Sequence, residues 1–276
     1  NNTVHNLIVK TGTNSIGIGI EANNTIVRHN LIDNIAGIEG GISDGIVVVA
    51  GFERIENITI VNNIVKNIYN ASHPEGIVLY ADENGIIENI LIENNTVYNV
   101  SDNGVVVDSR KGLGIANTVI KNNTIYNCYF RSILVYYNNK AVLIENNELY
   151  GSSHHGIGIE HSSNVTVYNN RIHDNQDNGI FIYKSKSNFV VNNNITNTTL
   201  FDGISISDSH NNTISRNVIE RSHNNGIWVF NSTNITIIEN YVTHSLLYNG
   251  ISMVNSSYNI ISGNKIVSNN NHGIWL

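Results

Sequence analysis

The chain is short of the residues that organise most folded domains. Its single cysteine, Cys128, excludes an internal disulfide framework and reads as a small space-filler in the core. A single proline, Pro74, and the lack of any Pro-rich or Ser/Gly-rich stretch leave no linker, so the 276 residues read as one domain covering 1–276. Charged residues make up only 13%, with 15 Lys+Arg against 22 Asp+Glu. No basic stripe occurs, which argues against nucleic acid as a partner. The longest apolar runs, such as Ile46 to Ala50, fall far short of the ~20 residues that a membrane-spanning helix needs, so no span is expected. Ala, Leu, Met and Lys, which favour helix, are scarce beside β-branched Ile and Val. No targeting segment is visible, and the chain opens in mid-repeat without Met, as a processed or excised piece would.

What the chain has in abundance is asparagine, placed at regular intervals. Asn6, Asn30, Asn63, Asn95, Asn123, Asn147, Asn170, Asn193, Asn217, Asn240 and Asn264 form a ladder whose steps are 23 or 24 residues from Asn123 onward. Each has an apolar residue two places later, from Ile8 and Ile32 to Val242 and Ile266. Between rungs comes a second marker, Gly followed by Ile or Val, at Gly17, Gly45, Gly76, Gly104, Gly156, Gly179, Gly203, Gly226, Gly250 and Gly273, with Ser132 in its place once. Alternation such as Gly156-Ile157-Gly158-Ile159 has the period of a strand with one side inward. The unit is two or three short strands without a helix, and it can bury its apolar side only by stacking on copies of itself. The expected fold is an all-β parallel β-helix of about eleven coils, a rod on the order of 50 Å long at ~4.8 Å per coil. An amide that both donates and accepts suits a ladder along the stack, so the repeated Asn residues are assigned structure and no catalytic role.

Asn122-Asn123-Thr124-Ile125 with Ser132-Ile133-Leu134-Val135, and Asn225-Gly226-Ile227-Trp228-Val229 with Asn234-Ile235-Thr236-Ile237, resemble the units of right-handed parallel β-helix repeat proteins. The resemblance covers nearly the whole chain and implies a right-handed solenoid. That group includes pectate-lyase-like polysaccharide lyases, polygalacturonases, mannuronan epimerases, periplasmic copper-accessory proteins, phage tailspikes and archaeal surface proteins. The resemblance does not choose among them. The polygalacturonase signatures Gly-His-Gly and Arg-Ile-Lys are absent, since His154 precedes His155-Gly156 and His173 follows Arg171-Ile172. The Asp-Pro-His element of epimerases is absent too, Pro74 standing in His73-Pro74-Glu75.

Function is sought where the repeat is interrupted, because insertions in a solenoid gather on one face. From the Gly marker to the next rung the late coils need 14 residues, but those starting at Gly45, Gly76 and Gly104 need 18 or 19. The approach to the marker also lengthens, in Ile35-Ala36-Gly37-Ile38-Glu39-Gly40-Gly41 and in Asn70 to Glu75. Two sets of long loops flanking one strand column would make a groove. By parity, residues one and three after the marker face inward, and those two and four after face outward. The second outward column then holds Tyr80, Asp108, Tyr136, Glu160 and Tyr183, with Tyr137, His161 and Lys184 next to it. Arg110, Lys111, Arg131, His154 and His155 are within reach on the loops. As catalytic candidates we take Asp108, Arg110, Tyr136, Glu160, His161 and Lys184. A cation would neutralise a uronate carboxylate while His161 or Tyr136 exchanges the adjacent proton, the chemistry of β-elimination or C5 epimerisation. Asp108 and Glu160, two coils apart at ~9.6 Å, come near the ~6.5–9.5 Å of inverting glycosidases.

Tyr80, Lys111, Tyr137 and Tyr183 are candidates to line a bound glycan. The first outward column places Phe181, Trp228 and Trp275 on every second coil, a further aromatic platform for sugar or for a partner subunit. His154, His155, Glu160 and His161 are the best metal cluster but have no ligand-spacing motif, so no metal ligand is assigned and calcium stays open as an accessory cation. Fourteen Asn-x-Ser/Thr triplets, Asn57 and Asn231 among them, would be glycosylation acceptors in an exported chain. The last residues, Gly273 to Leu276, stop inside a strand with no polar cap, as expected of a segment of a longer chain or of rods stacked end to end. The expectation is thus an extracellular or cell-surface β-helix engaging polysaccharide, as lyase or C5 epimerase. A non-catalytic glycan-binding module and a structural surface or filament protein are the alternatives.

Overall fold

The computed structural model describes residues 2–8, 14–38, 41–137 and 139–276. These form 32 strands and no helix, from β1 (Thr3–Ile8) to β32 (Ile274–Trp275). Every third strand pairs in parallel with its equivalent one coil away, which gives three sheets of 11, 11 and 10 strands running the length of the rod. The interior is a single apolar column. Ile46, Ile77, Val105, Ile133, Ile157, Ile180, Ile204, Ile227 and Ile251 stack along it in the second sheet, all buried.

The Asn ladder is continuous. Asn63 donates from its backbone N–H and its side-chain amide to Asn95 Oδ1 at 2.9 and 3.0 Å, and also donates to the Val27 carbonyl at 2.9 Å. The same set repeats at Asn123, Asn147, Asn170, Asn193, Asn217 and Asn240. The first rung differs from the sequence expectation. Thr3 pairs with Leu31, so Asn2 rather than Asn6 stands beside Asn30, and the Asn2 N–H donates to Asn30 Oδ1 at 3.1 Å. Asn2-x-Val4 and Asn6-x-Ile8 both satisfy the Asn-x-apolar pattern, and only strand register separates them. The side chains of Asn6 and Ile8, and Glu39 and Gly40 of the first long loop, lie outside the described residues.

Two further sequence features have direct causes. The residue before each buried rung is a left-handed turn residue, with φ of 56° at Asn62, 53° at Asn94 and 55° at Asn122, a conformation that Asn tolerates better than most side chains. This explains the Asn-Asn doublets. The Gly marker meets the apolar residue that follows the rung. A Cβ on Gly45 would lie 2.3 Å from Val65 Cγ1 and 2.5 Å from the Gly76 carbonyl oxygen, so the corner closes only without a side chain.

A groove on the outer face of the second sheet

The strands that build the groove are β2 (Asn14–Ile20), β5 (Ile42–Ala50), β8 (His73–Ala81), β11 (Val105–Asp108), β14 (Ile133–Tyr136) and β17 (Ile157–Glu160). Their outward residues follow the expected parity. Val47, Val78, Val106 and Leu134 form an apolar stripe outside the core, buried under the loops, with Val49, Tyr80 and Tyr136 packed against it. Two contiguous cavities of about 470 and 450 Å³ lie over this stripe and share His73, Glu75, Asp108 and Arg110. The walls are the approaches to the marker, through Ser72 of a lengthened loop and Ser101 and Tyr129 of loops of ordinary length, and Arg110 on the opposite side.

The groove is acidic at its centre. Asp44 pairs with Glu75 in strand register, and the next two coils place Asn103 and Arg131 in the same column. Burial pushes the Asp44 carboxyl up to about 7, partly opposed by a backbone hydrogen bond with Glu75. Burial also holds Glu75 well above the usual carboxylate range, helped by the charges of Asp44 and Asp102 and opposed by the Asn103 amide, which donates to Glu75 Oε1 at 3.3 Å. Asp102 is raised by burial against the opposing hydrogen bond of His73, 3.3 Å away. Burial thus makes each of these carboxyls hold its proton more tightly than in water.

Two arginines supply the positive charge. Asp108, 4% exposed, receives Arg110 Nε at 2.8 Å, one terminal nitrogen at 2.6 Å and the Arg110 backbone N–H at 2.9 Å. Arg110 also lies 5.0 Å over the Tyr136 ring, whose phenol burial pushes upward. Arg131 crosses the sheet to Glu160 and passes over Phe130 at 4.6 Å. It can do so because Gly158 replaces the outward Val or Leu of earlier coils; a Cβ there would lie 2.8 Å from Arg131 Cδ.

Of the residues expected from the sequence, Asp108, Arg110, Tyr136 and Glu160 line the first cavity and Tyr80 the second. Asp108 and Glu160 do stand two coils apart, each held by its own arginine. His161 instead stacks on Tyr137 at 4.3 Å in the turn after β17, and Lys184 sits 4.9 Å over Tyr183. Lys111 reaches Asp82 at 3.6 Å, and Phe181 packs on His155. Burial drives His155 down to about 3, and His154 pairs with Asp177 at 2.8 Å. The four side chains of the metal cluster therefore take different partners, and no group of three or more His, Cys, Asp or Glu among the described residues is placed to hold an ion. Asp44, Glu75, Asp102 and Asn103 were missed. Asp44, Glu75 and Asn103 each precede a Gly marker, where strict alternation would turn them inward; the Gly itself faces the core, so alternation breaks at that corner and the preceding residue opens onto the groove.

The model of the family described as "Right handed beta helix region" matches residues 44–200 and 199–276. The chain belongs to this family. The β-helix is similar to the A-module of mannuronan C-5 epimerase AlgE4 from Azotobacter vinelandii at 15% identity, covering 94% of this chain and 89% of that one with a TM-score of 0.69. It is also similar to the periplasmic alginate epimerase AlgG, at 14% identity over 91% and 70% of the two chains with a TM-score of 0.60. The enzymatically active domain of bacteriophage CBA120 tailspike protein 2 is matched at 14% identity over 79% and 38%, TM-score 0.55. At these identities the likeness establishes the fold. No curated protein matches the sequence. No helix of the described residues is long and apolar enough to cross a membrane.

Proposed function

We propose that this β-helix acts on a uronate-containing polysaccharide lying along the groove, by proton transfer at the sugar carbon beside the carboxylate. The reading is carried by one juxtaposition: Arg110, anchored on buried Asp108, faces the same cavity as Glu75, whose ionisation burial opposes. Two of the similar structures are named as epimerases of mannuronan and alginate, which agrees with it. Arg110 uses Nε and one terminal nitrogen on Asp108, leaving the other terminal nitrogen for a substrate carboxylate. Neutralising that carboxylate stabilises the negative charge that develops when the C5 proton leaves.

Asp44, ionising at about 7, takes the C5 proton, and Glu75 beside it, whose protonated form burial favours, is the acid. In elimination the C5–H and C4–O bonds break, the C4–C5 double bond forms, and the Glu75 proton passes to O4. In epimerisation the C5–H bond breaks, the proton passing to Asp44, and a new C5–H bond forms on the other face with a proton drawn from water. Tyr80 and the valine stripe form the floor under the sugar, while Lys111, Tyr137 and Tyr183 flank its path. A polysaccharide substrate accords with a location outside the cell or at its surface.

The test incubates the protein with uronate and neutral polysaccharides, with and without calcium, and follows both the ultraviolet absorbance of unsaturated product and deuterium uptake at C5. Product or exchange that disappears in Arg110→Ala and Glu75→Gln supports the reading. Retention of glycan with neither signal would replace the enzyme by a binding module. No retention and no signal would leave a structural surface protein.

A further inference from the structure

A second cavity, of about 420 Å³, opens toward the far end of the rod. It lies five coils from Asp108, ~24 Å at the strand spacing, and shares no lining residue with the groove. Trp228 pairs with Ser252 and Ser252 with Trp275, so two indoles stand in one outward column with a serine between them. Their attachment points are ~9.6 Å apart, two strand spacings. Beside them runs a polar column. Asp202 Oδ1 accepts the Asn225 N–H and side-chain amide at 2.8 and 2.9 Å, and Asn225 Oδ1 accepts the Asn249 N–H at 3.1 Å. Those bonds fix the amides and occupy only one oxygen of Asp202.

We propose that this cavity is a second, non-catalytic glycan site that holds one pyranose ring between Trp228 and Trp275, with Asp202 Oδ2 accepting a sugar hydroxyl. The gap selects the ring. A flat ring needs roughly 3.5–4.0 Å on each face, ~7–8 Å in all, and is loose in the gap, whereas a puckered saturated ring with axial hydrogens is thicker and fills it. The aliphatic faces of a sugar suit the indoles and its hydroxyls suit the acidic, amide-lined side. The groove differs in kind, since its floor is the aliphatic stripe from Val47 to Leu134. The inference stands whether or not the groove turns substrate over.

The chain has two tryptophans and both line this cavity, so tryptophan emission reports on it without background. The experiment titrates the protein with glucan, mannan and mannuronate tetrasaccharides, and with adenosine as a flat-ring control. A saturable emission shift with at least one tetrasaccharide is expected. Trp228→Ala and Asp202→Leu should each weaken it roughly ten-fold, the loss of one stacking face or one buried acceptor. Trp275→Phe, which keeps an aromatic face, should stay within a few-fold, and Arg110→Ala should leave the titration unchanged. An unchanged emission with every sugar overturns the proposal, as does adenosine binding as tightly as the best sugar. Emission that varies with protein concentration, together with a doubled mass in sedimentation, overturns it in favour of an interface between copies.

Discussion

Burial sets the chemistry of single residues here more than pairing does. Asp44, Glu75 and Asp202 all lie in the column before the Gly marker, and burial is the largest cause of the upward displacement of each carboxyl. Activity in the groove is expected to rise as Asp44 ionises at about pH 7 and to fall once Glu75 loses its proton, and Asp44→Asn, which lacks the base, should lower turnover by roughly 10²-fold or more across the whole pH range. Glu75→Gln should lower turnover by roughly 10²-fold or more, in the range of a lost general acid, measured on the same substrate as the wild type. Stability follows the same carboxyls with a definite sign. Asp202 rises from 3.8 to about 6, so the folded state holds its proton more tightly than the unfolded chain. That stabilisation is complete below pH 3.8 and is lost as the pH climbs through about 6. Asp202→Asn should therefore raise the melting temperature at pH 8, by up to roughly 3 kcal/mol in stability, and change little at pH 4. Asp108 and Glu160 were legible because, with Glu21, they are the charged residues of an otherwise uncharged column. Asp44 and Glu75 look like ordinary loop acids until register sets them side by side.

At the scale of the strand and its turn, two rules account for the repeat, and each can be broken singly. Asn147 donates to the Ile120 carbonyl and to Asn170 Oδ1, and it accepts two N–H groups from Asn123. Asn147→Ala strands several buried polar groups and should cost about 2–4 kcal/mol in denaturant unfolding. Asn264 ends the described ladder and is partly buried, and its loss should cost less than half as much. The Gly marker is sterically fixed in the same way. A Cβ on Gly179 would stand 2.4 Å from Ile195 Cγ2 and 2.7 Å from the Gly203 carbonyl, whereas one on Gly51 meets nothing within 4 Å. Gly179→Ala is expected to destabilise by roughly 1–3 kcal/mol and Gly51→Ala to be neutral; equal effects in thermal melts would show that the marker is not a packing constraint. Both markers were readable as columns in the sequence. Their mutual contact was not, because it joins residues 15 to 21 apart through space.

The whole molecule is a stack in which each coil touches only its neighbours, so sites a few coils apart should act independently. Arg110→Ala combined with Trp228→Ala should give the sum of the two single effects on glycan retention, within about 0.5 kcal/mol, read by titration of all four proteins. Coupling well beyond that would mean one glycan bridges both sites. The sequence by itself determined the all-β solenoid, its coil number and its inward and outward faces. Those rest on a 23- or 24-residue period and on alternation along each strand, both local to the chain. The first rung needed the structure, since Asn2 and Asn6 fit the same local pattern and only pairing with β4 (Leu31–Ala36) selects Asn2. So did the acid at the heart of the groove. Whether a carboxyl is ionised depends on what lies one coil above and below and on which loop folds over it. Those neighbours are some thirty residues distant in the chain and about 5 Å distant in space.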